Sequence, residues 1–201
     1  CKTVGDARCS SVRLYILRTS DFNASMAPNG VLEVYSGLLL RTQNEAQLAA
    51  VLGHEYVHYA KRHSIQNFRD IRSKTNGAVW LSMVVGGLLA SLMMFPSIFK
   101  HSREMEKESD EGGLALISKA GYDTREASKI WEQLREEMDA TAAARKTKSK
   151  KDKDKGMFED HPPTAERVAY LTEMAKTDPG SAGNTGAEAY ARVMAPYRAI
   201  F

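Results

Sequence analysis

His54-Glu55-Tyr56-Val57-His58 sits inside a stretch, Thr42 to about Ser73, whose pattern predicts one long helix. Thr42 and Glu45 have the spacing of a capping box, and Leu48, Val51, Leu52 and Tyr56 recur at helical intervals. On such a helix two histidines four positions apart project from one face towards a common point, which suits a tetrahedral metal. Neutral imidazoles are good zinc ligands, and a carboxylate one residue after the first of them stands where hydrolysis needs a base. The bland alternative is a pair of surface histidines. It leaves the Glu55 carboxylate, and an opposite face of Leu48, Val51, Leu52 and Tyr59 suited to a core, as coincidences.

Three protein groups on zinc leave a fourth position for water, whose pKa falls to about 7 while the ion polarises a scissile carbonyl. Glu55 is expected to take the proton of that water and pass it to the leaving amine, as a base and not a ligand. The third ligand has to come from elsewhere. Ser102-Arg103-Glu104-Met105-Glu106-Lys107-Glu108-Ser109-Asp110 offers several carboxylates on a second predicted helix, and spacing alone does not choose among them.

The chain resembles the HtpX-like and CAAX-prenyl-protease-like zinc metallopeptidases, which place Glu-x-x-x-Asp on a helix downstream of His-Glu-x-x-His. Glu106 and Asp110 match that pattern. The likeness extends to Phe22-Asn23-Ala24-Ser25-Met26-Ala27-Pro28-Asn29-Gly30, Ser36-Gly37-Leu38-Leu39, Arg62-His63, and His161-Pro162 with Arg167. The resemblance implies Glu106 as the third zinc ligand, Asp110 as a carboxylate orienting a ligating imidazole, and Glu104 and Glu108 as surface charges. It also implies an α+β fold, mostly helical and zincin-like, with a small sheet over the helix of His54 and His58. The family usually has Ala where Ser109 stands, and the basic stretch before His161 is not part of its common core. His161 then either faces the metal, donating to an oxyanion or occupying the open position in a latent state, or caps a loop. Arg167 either assists or anchors that loop. His63, five residues beyond His58, falls on another face of an unbroken helix, and His101 precedes the second helix; both read as structural.

Outward from the motif, Val12 to Leu17 and Val31 to Tyr35 read as strands around the Pro28-Asn29-Gly30 turn. Helices are predicted at Ile98 to Ala120, ended by Gly121, from Asp123 to about Ala143, at Thr164 to Lys176 and at Ala187 to Ala195. Residues 144–157 and about 178–186 read as flexible, so 1–201 is expected to be a single peptidase domain. The net charge of +3 is local: Arg145 to Lys155 is net +5, leaving the remainder at −2. A basic run without aromatics argues against a nucleic-acid groove.

Cys1 and Cys9 are the only cysteines, and a short-loop disulfide between them points to an oxidising compartment. The native N-terminus is expected upstream of Cys1. Gly77 to Phe95 holds 19 residues without a formal charge, yet a single crossing of about 30 Å of hydrocarbon would part His58 from Glu106. A buried helix, or contact with a membrane surface, is expected instead. Together these readings predict a zinc endopeptidase binding one Zn²⁺ and acting on peptides or misfolded proteins in a bacterial cell envelope, periplasmic or membrane-associated. The rival reading is a zinc-stabilised chaperone or scaffold with a latent site.

Overall fold

The computed structural model describes residues 4–74, 101–145, 161 and 164–200. Three strands, β1 (Arg13–Leu17), β2 (Ala24–Met26) and β3 (Val31–Tyr35), form a sheet of order β1-β3-β2, with β1 parallel and β2 antiparallel to β3. The helices are α1 (Ser36–Arg41), α2 (Glu45–Lys61), α3 (His63–Lys74), α4 (Arg103–Lys119), α5 (Arg125–Arg145), α6 (Ala165–Thr177) and α7 (Ala187–Arg198). This is the expected α+β, mostly helical arrangement, with β2 lying against α2. The sequence pattern did not announce β2, which is three residues long and too short for a period-two signal.

β3 alternates strictly, burying Leu32 and Val34 and turning Val31, Glu33 and Tyr35 outward. Its inner face joins Ala24 and Met26 of β2, Ala50 and Val51 of α2, Leu114 and Ile117 of α4, Ile130, Trp131 and Leu134 of α5, and Leu171 of α6 in one hydrophobic core. β1 is the exposed edge, with Leu14, Tyr15 and Ile16 each more than half accessible.

The predicted helix from Thr42 to Ser73 is three pieces. Thr42 ends α1, donating its hydroxyl to the Leu38 carbonyl at 2.6 Å. The cap lies two residues later than expected: Asn44 accepts from the Gln47 N–H at 2.9 Å, and the Gln47 side chain accepts from the Gln43 N–H at 2.9 Å. At the other end, Arg62 adopts φ 60°, the left-handed conformation that closes a helix, and its N–H reaches the His58 and Tyr59 carbonyls. The chain turns there and restarts as α3 at His63, so the expectation that His63 faces away from His58 fails.

α2 and α4 pass at glycine-limited distance. A Cβ on Gly113 would stand 3.0 Å from the His54 nitrogen, and one on Gly53 would stand 3.3 Å from the Gly113 carbonyl oxygen. A Cβ on Gly112 would meet a Val57 methyl at 2.8 Å. These contacts set how deeply the acidic first half of α4 reaches across the histidine face of α2.

The segment 178–186, expected from composition to be a flexible linker, is folded against its neighbours. Pro179–Ala182 form a 3-10 turn capped by Asp178, the Asn184 N–H donates to the Gly121 carbonyl, and the Thr124 N–H donates to Gly180. Gly183 packs so closely that a Cβ would lie 2.4 Å from the Tyr122 carbonyl carbon. Composition marks backbone freedom in the unfolded chain, and tertiary hydrogen bonds override it. Cys9 is disulfide-bonded, and the only other cysteine in the sequence is Cys1. The apolar run 77–95 and nearly all of the basic stretch 144–157 lie outside the described residues. Among those described, no helix is long and apolar enough to cross a membrane.

Gly113→Ala tests the close approach of α2 and α4. Overpacking costs about 1–3 kcal/mol, partly offset by about 1 kcal/mol of helix propensity. Thermal unfolding should show a net loss, together with weaker metal uptake, whereas an exposed helical glycine changed to alanine would stabilise.

Candidate metal centre

The histidine face of α2 and the first turns of α4 meet in a pocket that α6 closes from behind. His54, Glu55, His58, Glu106, Asp110, His161 and Arg167 are all at least nineteen-twentieths buried. The His54 and His58 Nε2 atoms are 3.0 Å apart. Glu106 places Oε2 3.5 Å from His54 Nε2 and Oε1 3.4 Å from His58 Nε2. An ion with metal–ligand bonds of about 2.0 Å at tetrahedral angles holds its donor atoms about 3.3 Å apart, so these three edges have the size that zinc requires.

The chemistry of the donors agrees with their spacing. His54 Nδ1 lies 2.9 Å from Asp110 Oδ1, and His58 Nδ1 lies 2.8 Å from His63 Nδ1. A proton held on each Nδ1 by these neighbours would leave both Nε2 lone pairs directed at each other and at a carboxylate. Only a cation or a proton relieves that arrangement. Among the described residues of the pocket, the acidic side chains of Glu55, Glu106 and Asp110 outnumber the buried guanidinium of Arg167, an imbalance that favours a bound cation.

Asp110 and Arg167 make the back wall. Arg167 binds Asp110 through both arms, Nε to Oδ2 at 2.8 Å and Nη2 to Oδ1 at 2.7 Å, and places Nη1 2.8 Å from Glu106 Oε2. Its guanidinium carbon lies 4.0 Å from the centre of the Trp131 ring, and the Tyr170 hydroxyl donates to Asp110 Oδ2. These contacts of Arg167 reach Glu106 and Asp110 from behind. Burial alone would raise the carboxyl of Glu106, but the neighbouring His161, then His58 and His54, outweigh it and hold Glu106 ionised. Asp110 is likewise lowered against its own burial, by the hydrogen bond from His54 and the charge of Arg167.

His161 stands on the opposite side. Its Nδ1 is 2.9 Å from Glu106 Oε1 and 3.2 Å from His54 Nε2, and its Nε2 is 3.4 Å from Glu55 Oε1. His54, His58, Glu106 and His161 thus form a single group of possible metal donors. Burial disfavours a charged imidazole at His161, yet the carboxylates of Glu106 and Glu55 more than compensate and lift its pKa to about 9.

All seven residues singled out in the sequence therefore converge. Three further residues adjoin the site, and Glu108 among them stays exposed. His63 is wholly buried and contacts His58, His101 stacks on the His58 ring at 3.9 Å between centroids, and Glu108 reaches His63 Nε2 at 3.1 Å. The Arg62-His63 pair was the signal for the first, but only the helix break at Arg62 gives it meaning.

The sequence matches peptidase family M48 over residues 7–175. The mitochondrial metalloendopeptidase OMA1 of Schizosaccharomyces pombe is 34% identical over 125 residues, covering 60% of this chain and 37% of that protein. The metalloprotease YcaL of Escherichia coli is 30% identical over 171 residues, covering 81% and 61%. The metalloprotease LoiP of the same organism is 27% identical over 178 residues, covering 83% and 64%. The chain thus spans less than two thirds of the length of each of these relatives.

The raised pKa of His161 gives a pH signature in chelator-treated protein. Its folded value of about 9 exceeds the ordinary 6.5, so its stabilising effect is complete below about 6.5 and is lost as pH rises through 9. The margin in Tm of metal-free wild type over His161→Gln should shrink across that window. A margin that holds constant to pH 9.5 would remove the carboxylate pairing of His161.

Proposed function

The chain belongs to peptidase family M48, and on that premise we propose that it is a zinc-dependent endopeptidase, with His54, His58 and Glu106 holding the ion and Glu55 as general base. The observation that carries this reading is the set of donor separations, 3.0, 3.4 and 3.5 Å, among His54, His58 and Glu106, with Glu55 on the same helix beside them. A bound zinc supplies a Lewis acid that polarises the scissile carbonyl and acidifies water.

The residues of the chain do the rest. Glu55 takes the proton of the attacking water and delivers it to the departing amine. Asp110 and Arg167 are positioning residues: Asp110 fixes the His54 tautomer, and Arg167 holds Glu106 and Asp110 in register. The substrate is an extended peptide or a misfolded protein segment added to the outer edge of β2, which is an end strand of the sheet. A cavity of about 240 Å³ lined by Asn23, Ser25, Met26, Glu33, Tyr35, Glu55, His101 and His161 joins residues of β2 and β3 to the site.

His161 is assigned to regulation. Its Nδ1 lies at hydrogen-bonding distance from two of the donor groups and its Nε2 beside Glu55, so in this position it would stand in the way of a water beside a bound ion, and we read it as marking a closed state. Opening requires His161 to withdraw. Protein quality control in a bacterial cell envelope is the proposed setting, supported by the disulfide-bonded Cys9 and by two metalloprotease relatives from a bacterium. Contact of residues 77–95 with a membrane surface is part of the same proposal, and no nucleic-acid partner is proposed.

Elemental analysis should find about one zinc per chain in the wild type, falling sharply in Glu106→Ala. Casein cleavage should disappear in Glu55→Gln with zinc retained, by on the order of 10²–10⁴-fold for loss of a general base. Equal cleavage by Glu55→Gln and wild type would leave a metal-stabilised chaperone as the better reading. His161→Ala should raise turnover several-fold, and a fall would make His161 a transition-state donor instead.

A further inference from the structure

We propose that His63, held by Glu108, is the positioning residue of the His58 metal ligand, fixing its tautomer and ring plane through a Glu108–His63–His58 hydrogen-bond relay. The proposal rests on the reading of His58 as a ligand and adds to it a group outside the catalytic set.

The geometry runs in one direction. For His58 to present an Nε2 lone pair to the ion, its Nδ1 must carry the proton, and that nitrogen lies 2.8 Å from His63 Nδ1. His63 must therefore accept at Nδ1, which leaves its own proton on Nε2, where Glu108 Oε2 receives it at 3.1 Å. The three rotors are mutually determined. Lys61 fixes the far end by pairing with Glu108 Oε1 at 2.5 Å, and the buried Ser109 hydroxyl sits 3.4 Å from His63 Nδ1, at the long limit of a hydrogen bond. His63 lies edge-on at 79° to the His58 ring, and His101 stacks on that ring at 27°, so two further rings bound the plane that His58 adopts.

The arrangement parallels His54, whose Nδ1 is fixed by Asp110. Each imidazole of the motif has its own orienting partner, one supplied by α4 directly and the other relayed from α4 through the first residue of α3. Arg62 makes this possible: the left-handed turn at φ 60° swings His63 back, whereas a continuous helix would carry it about 140° round the axis at 100° per residue. His58, His63 and His101 also form a second trio of possible metal donors. A hydrogen-bond separation of 2.8 Å between two Nδ1 atoms and a stacked third ring favour the relay over a second ion.

The test is zinc affinity of the full chain, measured by competition with a chromophoric chelator, alongside the visible spectrum after cobalt substitution. His63→Ala should weaken zinc binding by about 10–100-fold and shift the cobalt bands. His63→Asn, whose Oδ1 replaces the accepting Nδ1, should recover most of the affinity. Glu108→Gln, at a half-exposed position, should give a smaller loss even if His63→Ala folds poorly, and Glu104→Gln on the exposed face should give none. Affinity unchanged in both His63→Ala and Glu108→Gln, or equally poor in His63→Asn and His63→Ala, overturns the relay. A second zinc in wild type that vanishes with His63 overturns it in favour of a metal trio. A wild type that takes up no zinc removes the ligand reading itself, an outcome distinct from a wild type that binds and variants that bind equally well.

Discussion

Two imidazole lone pairs and a carboxylate, held about 3 Å apart with almost no access to water, repel one another. Every structural feature around them acts to keep them there. The force comes from elsewhere in the fold, because nothing in the trio itself favours the arrangement without a cation. Gly53 and Gly113 let α2 and α4 touch backbone to backbone, and the shared core of Val51, Leu114, Ile117, Ile130 and Leu171 holds the two helices in that contact. The hydrophobic energy of that core is therefore what sustains the local electrostatic conflict on which metal affinity depends.

The surrounding polar groups divide into two jobs. Asp110, Arg167, Trp131 and Tyr170 form a rigid back wall in which the buried guanidinium is saturated by carboxylates and stacked on an indole. His161, Glu55 and residues of β2 and β3 line an open cavity. Rigidity behind and access in front is the distribution expected where donors must be preorganised while one position exchanges. The helix N-terminus of α4, capped by Ser102 with Glu104 and Glu106 in the first turn, also lies where its dipole supports the ionised Glu106 carboxylate.

Misreadings of the sequence share one cause. Thr42 looked like a cap and Asn44 did not, although both are good capping residues, because the choice depends on where α1 ends. His63 looked remote from His58 because periodicity assumes an unbroken helix, and Arg62 is not a residue whose identity declares a left-handed turn. Residues 178–186 looked like a linker because Pro, Gly and Ser describe what the backbone is free to do, while Tyr122, Thr124 and Gly121 decide what it does. In each case local propensity was outweighed by contacts across the chain.

What the linear pattern determined by itself was the pair His54 and His58 with Glu55 between them, because helical periodicity converts a spacing of four into one face without help from the rest of the molecule. Strands β1 and β3 were legible for the same reason, since alternation is a local property. Which of the carboxylates from Glu104 to Asp110 completes the donor set was not readable from spacing, and resemblance alone pointed to Glu106. The tertiary structure places that carboxylate among the imidazoles, by bringing two helices together at glycine contact. It likewise made the buried His63 and the exposed Glu108 neighbours of the site, because a hydrogen bond between groups far apart in sequence exists only once the intervening chain has chosen its path.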